Sequence, residues 1–167
     1  RTMSRDLLTE DDFWDDIHCE HEVGDRLTTE DIRLSVDVPV VISYRLVDLG
    51  VTQYHFGQPF TKRDTLEYFR QMSSISSGSI NDLVNESPHA MHFYRSRITA
   101  KMKKLLQALN PGCSPDDSTI IYHFALYTDR DGASREAGRR SPRVYFMLGR
   151  NGVIFPLFFD PYHEINP

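Results

Sequence analysis

The chain contains 167 residues, of which 24 are acidic and 19 basic, and its net charge is −5 at neutral pH. This length fits one domain that buries most of its apolar surface. No apolar run approaches the roughly 18–20 residues that a bilayer-spanning helix needs. Acidic residues rather than an apolar stretch follow Met3, which argues against a signal peptide. We therefore expect a cytoplasmic protein with no membrane partner. Cys19 and Cys113 lack the spacing of metal or redox motifs and are expected as free thiols.

The charges are unevenly distributed along the chain. Residues 1–40 hold twelve acidic and four basic side chains, whereas residues 87–150 hold eleven basic and five acidic ones. Two interpretations are open: an ordinary solvated surface, or a basic face for an anionic partner that the acidic part covers. We expect a single domain over residues 1–167, with an acidic N-terminal extension over 1–35 and an α+β core over 36–167.

Two acidic segments near the N-terminus have helical features. Thr9 suits an N-cap, and apolar residues follow it at helical spacing, which predicts a short acidic helix over residues 10–18. A second acidic turn is expected over residues 28–31.

The following segment has strand features. β-Branched residues dominate 36–47, which predicts a strand whose first part lies at an edge or bend because of Pro39. A further short strand is predicted over 52–56, before Gly57 and Pro59.

The middle of the chain predicts two helices and the loops around them. Thr61 suits the N-cap of a helix from Lys62 to about Met72, and Ser79 suits the N-cap of a short helix through Val84. The Ser-rich residues 73–79 and the charged residues 128–142 are expected as exposed loops.

Residues 88–109 show the strongest helical pattern. Ser87 suits the N-cap, a proline occupies the permissive first turn, and Asn110-Pro111-Gly112 ends the pattern. Seven apolar residues fall within one sector of the predicted helix, so we expect one amphipathic helix that packs on the core.

Basic side chains occupy a second face of this predicted helix. Arg97, Lys101 and Lys104 form a stripe beside the apolar sector and are candidate binding residues for an anion. Arg95 falls inside the apolar sector, so it must extend toward solvent, pair with a carboxylate or serve a site.

Three segments predict an antiparallel β-meander, namely residues 119–127, 143–148 and 153–159. The Asn151-Gly152 dipeptide predicts a two-residue turn between the last two strands. This turn predicts one apolar face and one mixed face for the hairpin. The cross-strand pairs of the apolar face are Val144–Phe159, Phe146–Leu157 and Leu148–Phe155. Those of the mixed face are Arg143–Asp160, Tyr145–Phe158 and Met147–Pro156. The predicted fold is therefore α+β, with the meander packed on the basic helix.

The open end of this hairpin is the candidate site. Arg143, Tyr145 and His163 offer a cation, a phenol and an imidazole, and we take them as catalytic candidates with Asp160 as a binding residue. His123 joins them as a catalytic candidate if its strand pairs with the strand of Tyr145. The alternative is a turn at Asp160, a structural Arg143–Asp160 ion pair, a surface residue at His163 and a hydrogen-bonded, half-buried histidine at His123.

Other site types find little support in the sequence. The HCEH run from His18 to His21 could cluster around a metal, but no second ligand cluster has partner spacing. Phosphate-loop, dinucleotide-binding, serine-hydrolase and zinc-protease motifs are missing. We therefore expect no metal and no cofactor.

The C-terminal half resembles the endings of small, poorly characterised bacterial and mobile-element proteins. The resemblance rests on the run RVYFMLGRNGVIFPLFFDPYHEINP, a strand, turn and strand followed by D-P-x-H. The upstream runs YRLVDLG and LEYFRQMSSIS also resemble that group, so that it covers residues 41–167. The acidic N-terminal part has no counterpart there.

A more distant resemblance concerns RelE/ParE-type toxins. The order of a basic helix followed by three antiparallel strands with Arg and Tyr on one face is similar to theirs. That resemblance implies metal-independent cleavage of messenger RNA on the ribosome. It also implies that Arg143, Tyr145 and His163 stabilise the phosphate and transfer protons, while Lys101 and Lys104 hold the RNA backbone. The acidic overall balance departs from those basic toxins.

Three functions are thus expected as alternatives. The first is a metal-independent endoribonuclease toxin of a toxin–antitoxin or phage-defence module, with RNA or the ribosome and a cognate antitoxin as partners. The second is a non-enzymatic interaction domain whose acidic N-terminal segment binds a basic partner. The third is a domain that binds a small anion at the end of the hairpin.

Overall fold

The computed structural model describes residues 23, 26–86, 93–116, 119–128, 130 and 141–167. It confirms the predicted α+β class and shows helices with a five-stranded mixed sheet in a single domain. The helices are α1 (Thr29–Asp37), α2 (Lys62–Ile75), α3 (Ile80–Glu86) and α4 (Ala100–Leu109). The strands are β1 (Val41–Ile42), β2 (Tyr94–Arg95), β3 (Ile121–Ala125), β4 (Arg143–Leu148) and β5 (Val153–Asp160). The predicted helix over 10–18 lies outside the described residues, as does most of the predicted loop over 128–142.

The sheet has the order β1-β5-β4-β3-β2. Strands β3, β4 and β5 form the antiparallel meander that the sequence predicts. Two short strands extend it, β1 parallel to β5 and β2 antiparallel to β3. The sequence predicts neither of these edge pairings.

The predicted register of the β4–β5 hairpin is correct only at its open end. Arg143 pairs with Asp160, and Tyr145 pairs with Phe158, as expected. A bulge after Tyr145 then shifts the pairing by one residue, so that Phe146 lies opposite Pro156. The predicted pairings beyond the bulge are therefore wrong. The strands are joined by a 3₁₀ turn over Arg150–Gly152, not by a two-residue turn.

Both faces of the sheet are buried. One core cluster joins Tyr68 and Met72 of α2 to Val144 and Phe146 of β4, and Phe159 of β5 also lies in it. The second cluster lies on the other face, where Met102 and Leu106 of α4 meet Tyr145, Met147 and Leu157. The bulge explains why Leu157 shares a face with Tyr145 although the simple alternation assigns it to the other face.

The strand predicted over 36–47 is wrong for most of its length. Helix α1 occupies its first two residues, because Thr28 and Asp31 form a capping box that starts this helix. The backbone N–H of Thr28 donates to Asp31 Oδ2 at 2.9 Å, and that of Asp31 donates to Thr28 Oγ1 at 3.1 Å. Only Val41 and Ile42 pair with the sheet.

The strand predicted over 52–56 is also wrong, since this segment is a loop. The buried carboxylate of Asp48 accepts backbone hydrogen bonds from Gly50, Val51 and Thr52 at 2.7–2.9 Å. A side chain that captures successive amides folds the backbone into a turn, and those amides are then not available for strand pairing.

The two central helices are confirmed. Thr61 caps α2 through a capping box with Asp64, and Ser79 contacts Asp82 in the same way before α3. Helix α2 continues to Ile75, so the start of the predicted Ser-rich loop is helical.

The single helix predicted over 88–109 is wrong in its described first part. Tyr94 and Arg95 instead form β2, which pairs with β3. Helix α4 begins only after Thr99, whose Oγ1 accepts a hydrogen bond from the Met102 N–H at 3.2 Å. Apolar residues at helical spacing continue across this junction, and sheet pairing overrides their helical tendency.

Candidate functional site

Three neighbouring strands place aromatic rings in a row at one end of the sheet. Tyr94 of β2 lies opposite His123 of β3, and His123 lies opposite Tyr145 of β4. The ring centroid of His123 is 6.2 Å from that of Tyr94 and 5.3 Å from that of Tyr145. The His163 ring lies 6.3 Å away. The structure thus brings two predicted histidines and Tyr145 together.

Ser96 holds the His123 imidazole. The Oγ atom of Ser96 and the Nδ1 atom of His123 are 2.6 Å apart, within a hydrogen bond. The backbone N–H of Ser96 donates to the Ile121 carbonyl at 2.7 Å, which fixes Ser96 beside β3. Because the hydroxyl contacts Nδ1, it fixes the orientation of the His123 ring.

A cavity of about 620 Å³ lies beside His123 at the N-terminus of α4. Its wall combines the segment after β2, the first turn of α4 and the C-terminal residues of the chain. The lining residues are Arg95, Ser96, Arg97, Thr99, Ala100, Lys101, His123 and Glu164–Pro167. Its volume falls within the range of small-molecule sites.

The wall formed by β2 and α4 is positively charged. Arg95 and Arg97 are exposed, and Lys101 is half-buried. The Lys101 ammonium donates to the Glu164 carbonyl at 2.7 Å and lies 4.8 Å from the Tyr54 ring centroid. The N-terminus of α4 adds partial positive charge from its unpaired amides. This wall therefore favours an anionic group.

The C-terminal residues are fastened to the same helix terminus. Asn166 accepts a hydrogen bond from the Thr99 hydroxyl at 3.0 Å and donates to the Arg97 carbonyl at 3.2 Å. The Tyr54 hydroxyl donates to the Glu164 carboxylate at 3.1 Å. The cavity wall is thus closed by side-chain contacts between segments far apart in sequence.

The Asp160 carboxylate anchors the turn after β5. Its carboxylate is fully buried and accepts the Ile165 N–H at 2.7 Å and the Tyr162 N–H at 3.3 Å. Burial raises the pKa of Asp160, although the backbone amides act in the opposite direction. The turn holds His163 at a φ of 55°, in the left-handed region that non-glycine residues rarely adopt.

The predicted Arg143–Asp160 pairing exists in the backbone but not between the charged groups. Within the described residues, the buried Nε and Nη1 atoms of Arg143 have no hydrogen-bond partner, and no salt bridge joins them to Asp160. The reason is that the Asp160 carboxylate turns to the backbone amides of its own turn. Burial also lowers the pKa of Arg143.

Tyr145 is not among the residues that line the cavity. Its side chain is fully buried, and its hydroxyl faces the backbone of Asn166 without a well-directed hydrogen bond. Burial raises the pKa of Tyr145 above its ordinary value. The Tyr145 ring packs beside the His123 ring, with 5.3 Å between the two centroids.

The predicted binding stripe is divided by the structure. Arg97 and Lys101 line the cavity, whereas Lys104 lies on the exposed face of α4 away from its lining. Sequence reasoning missed Ser96, Thr99 and Asn166. Of these, Thr99 carried a signal, because a threonine directly before Ala-Lys-Met-Lys-Lys suits an N-cap. Ser96 and His123 are 27 positions apart in the sequence, and nothing in the sequence signals their contact.

No protein-family model matches the chain, and comparisons with curated proteins and with solved structures find no significant match. None of the helices in the described ranges has both the length and the apolar composition that a bilayer crossing requires. Within the same ranges, no three His, Cys, Asp or Glu side chains are grouped as metal ligands. The HCEH run lies outside them.

Proposed function

We propose that the protein is a metal-independent ribonuclease that cleaves RNA in the cavity at the N-terminus of α4. The observation that supports this most directly is the position of His123. Its imidazole is oriented by Ser96 at the wall of a cavity that Arg97 and Lys101 make positive. An oriented imidazole beside a positively charged wall supplies one of the two proton-transfer groups that acid–base cleavage of RNA uses.

The proposed reaction uses the 2′-hydroxyl of the RNA as nucleophile. One imidazole accepts the 2′-hydroxyl proton, and the 2′-oxygen forms a bond to phosphorus. The bond from phosphorus to the 5′-oxygen breaks, and the second imidazole donates a proton to that oxygen. The products are a 2′,3′-cyclic phosphate and a 5′-hydroxyl. His123 and His163, with ring centroids 6.3 Å apart, are the proposed pair.

Negative charge on the reacting phosphate requires stabilisation. Arg97, Lys101 and the first-turn amides of α4 supply positive charge at the cavity. Arg143, on the same sheet face as His123, has two buried donor atoms that lack acceptors in the described residues. A phosphate oxygen would meet that demand, and we assign this role to Arg143.

The resemblance to RelE/ParE-type toxins extends this proposal to a biological setting. It supports messenger RNA on the ribosome as the substrate, and a cognate antitoxin as the partner of a toxin–antitoxin or phage-defence module. Expression of the wild-type chain in a bacterial host is then expected to arrest growth. Expression of a His123→Ala/His163→Ala variant is expected not to do so.

The direct test is cleavage of labelled RNA by purified protein in the presence of a chelator. Wild type should cleave and leave 2′,3′-cyclic phosphate ends, and His123→Gln and His163→Asn should each lose at least about 100-fold in rate. His55→Asn is the matched control, because it retains an acceptor for the Gly57 amide that His55 binds. Equal cleavage by all three variants, or cleavage that the chelator abolishes, would contradict the proposal.

A small anionic ligand is the second candidate. The observation that favours it is that Glu164–Pro167 close one side of a cavity of nucleotide size. A ligand that binds only the folded chain raises its melting temperature. A thermal-shift response to a mononucleotide, without cleavage of any RNA, would favour this candidate over the nuclease.

A further inference from the structure

A second cavity, of about 390 Å³, adjoins the cavity at the N-terminus of α4. Residues 95–97 line both cavities and therefore form a wall that the two share. The second cavity is completed by Ile98 and Thr119. Both volumes fall within the range of small-molecule sites. The proposed cleavage reaction uses only the first cavity, so the second one needs an account of its own.

The shared wall carries two cations. Arg95 and Arg97 are exposed and flank Ser96, whose hydroxyl contacts His123. Residues 93–109 contain no acidic side chain. An anion that passes from one cavity to the other therefore meets guanidinium groups, which match the geometry of phosphate oxygens.

An exposed aromatic ring lies beside the first cavity. Tyr94 is 45% exposed and belongs to β2, the last strand of the sheet. Its ring centroid lies 6.2 Å from that of His123, which lines this cavity. Aromatic rings next to basic groups bind single-stranded nucleic acid, because every unpaired base has a face that can stack on them. Bases within a duplex are already stacked on each other and do not reach such a ring.

The second cavity has a buried polar group in its wall. Thr119 is 2% exposed, and within the described residues its Oγ1 atom has no hydrogen-bond partner. The backbone N–H of Thr119 donates to the Asp116 carbonyl at 3.1 Å, which fixes the position of the residue. Buried hydroxyls are normally hydrogen-bonded. A polar atom of a ligand in the second cavity would supply the partner that the fold does not.

We propose that the two cavities are neighbouring subsites for one single strand of RNA. One nucleotide occupies the cavity beside His123, with its base stacked on Tyr94. The next nucleotide occupies the second cavity and contacts Thr119, and the phosphate between them lies at Arg95 and Arg97. The shortest ligand that fills both subsites is therefore a dinucleotide. The choice of RNA rests on the proposed ribonuclease function, whereas the pair of subsites does not depend on cleavage.

The length dependence of binding is the first test, with the full chain and fluorescent 2′-O-methyl oligonucleotides that cannot be cleaved. The dinucleotide should bind at least about tenfold more tightly than the mononucleotide, because it fills both subsites. A longer single strand should bind at least about tenfold more tightly than its duplex with the complementary strand. Equal affinity within either pair would overturn the proposal.

The stacking role of Tyr94 has a matched control. Tyr94→Ala should weaken binding of the dinucleotide by about tenfold, and Tyr94→Phe should restore it because the ring is retained. Tyr44→Ala should bind as wild type, since Tyr44 is equally exposed at 45% but packs near Tyr68 and lines neither cavity. Wild-type affinity in Tyr94→Ala would overturn the stacking.

The two arginines are tested by the salt dependence of binding. Arg95→Gln and Arg97→Gln should each reduce the slope of log affinity against log salt by about 0.7, the value for one phosphate contact on a single strand. Arg70→Gln is the control, because Arg70 is exposed on α2 and pairs with Glu67. Slopes that match wild type in both arginine variants would show that no phosphate lies at the shared wall.

Thr119→Val tests the second subsite alone, because it keeps the shape of the side chain and removes the hydroxyl. Binding of the dinucleotide should weaken by about fivefold, the value of one hydrogen bond, while binding of the mononucleotide stays the same. The melting temperature should not fall, since the hydroxyl has no partner in the fold. An equal loss for both ligands, or a lowered melting temperature, would overturn the role of Thr119.

These tests separate the subsites from the reaction. Cleavage of long RNA without the length dependence of binding would retain the ribonuclease and remove the second subsite. Length-dependent binding that requires Tyr94 and Thr119, with no cleavage of any RNA, would support the two subsites and refute the ribonuclease.

Discussion

The buried carboxylate of Asp160 leads to a prediction that separates two accounts of the site. In Asp160→Ala, the Tyr162 and Ile165 amides lose their acceptor. The Ile165 amide is buried, and a buried amide left without a partner costs about 1–3 kcal/mol, so the free energy of unfolding should fall by at least about 1 kcal/mol. For a chain of this size, that lowers the melting temperature by at least about 2 °C.

The pH dependence of the same site has an unusual sign. Burial raises the pKa of Asp160 in the folded state. A raised pKa contributes stability below the unfolded value, and that contribution is lost as pH rises through the folded pKa. The window therefore runs from about pH 4 upward to the raised pKa of Asp160. In Asp160→Asn this contribution is missing, so the stability of wild type relative to the variant should decrease as pH rises.

Urea unfolding of wild type and Asp160→Asn, followed at several pH values across this window, measures the difference. A gap that widens with pH would mean that the charged carboxylate is favoured in the folded state. That result would refute the conclusion that burial outweighs the backbone amides in setting the pKa of Asp160.

Three further predictions concern individual contacts. Ser96→Ala should lower the rate of RNA cleavage by about tenfold, the value of one hydrogen bond. Because Ser96 contacts His123, the pH profile of cleavage should also change, while the melting temperature stays almost unchanged. An unaltered pH profile would contradict the orienting role of Ser96. Arg143→Met should raise the free energy of unfolding by about 1–3 kcal/mol because it removes unpaired buried donors, yet weaken phosphate binding in a thermal-shift assay; a destabilised variant would show that the donors are satisfied. Asp64 is buried and forms a salt bridge with Arg130, so Asp64→Ala should lower the free energy of unfolding measured by calorimetry by about 3 kcal/mol. Burial raises the pKa of Asp64, but hydrogen bonds from Tyr127, Arg130 and Thr61 lower it by more, so that the pKa lies below its ordinary value. The stabilisation that the charged carboxylate provides should therefore be lost as pH falls through the folded pKa. An acid transition equal to that of the Asp64→Ala variant would contradict this.

The meander could be predicted because its signals are local. Strands β3, β4 and β5 are continuous apolar runs separated by turn residues, and two-sided burial accounts for their composition. The register at the open end was also predictable, since the pairs Arg143–Asp160 and Tyr145–Phe158 lie where predicted. The bulge beyond Tyr145 could not be predicted, because no residue type in β5 marks where an extra residue is accommodated.

Only part of the site could be predicted from the sequence, for a related reason. His123 and Tyr145 were brought together by strand pairing that the sequence predicted. Ser96 depends on β2, whose two residues lie inside a helical pattern that continues into α4. A two-residue edge strand has almost no sequence signal, because its stability comes from the backbone of β3 and not from its own side chains. Because β2 could not be predicted, the cavity between β2, α4 and the C-terminal residues could not be predicted either.

Three energetically unfavourable features meet at this end of the sheet. His163 adopts a left-handed backbone conformation, which costs a non-glycine residue about 1–2 kcal/mol. Arg143 buries two donors without partners in the described part, and Asp160 buries a carboxylate whose pKa rises in consequence. Folding alone gains nothing from the left-handed backbone of His163 or from the unpaired Arg143 donors, and an apolar residue at position 143 would fill the same space. Local strain and unmet polar groups persist where binding or chemistry uses them. Their convergence beside His123 therefore argues, independently of any resemblance, that this end of the sheet is where the protein acts.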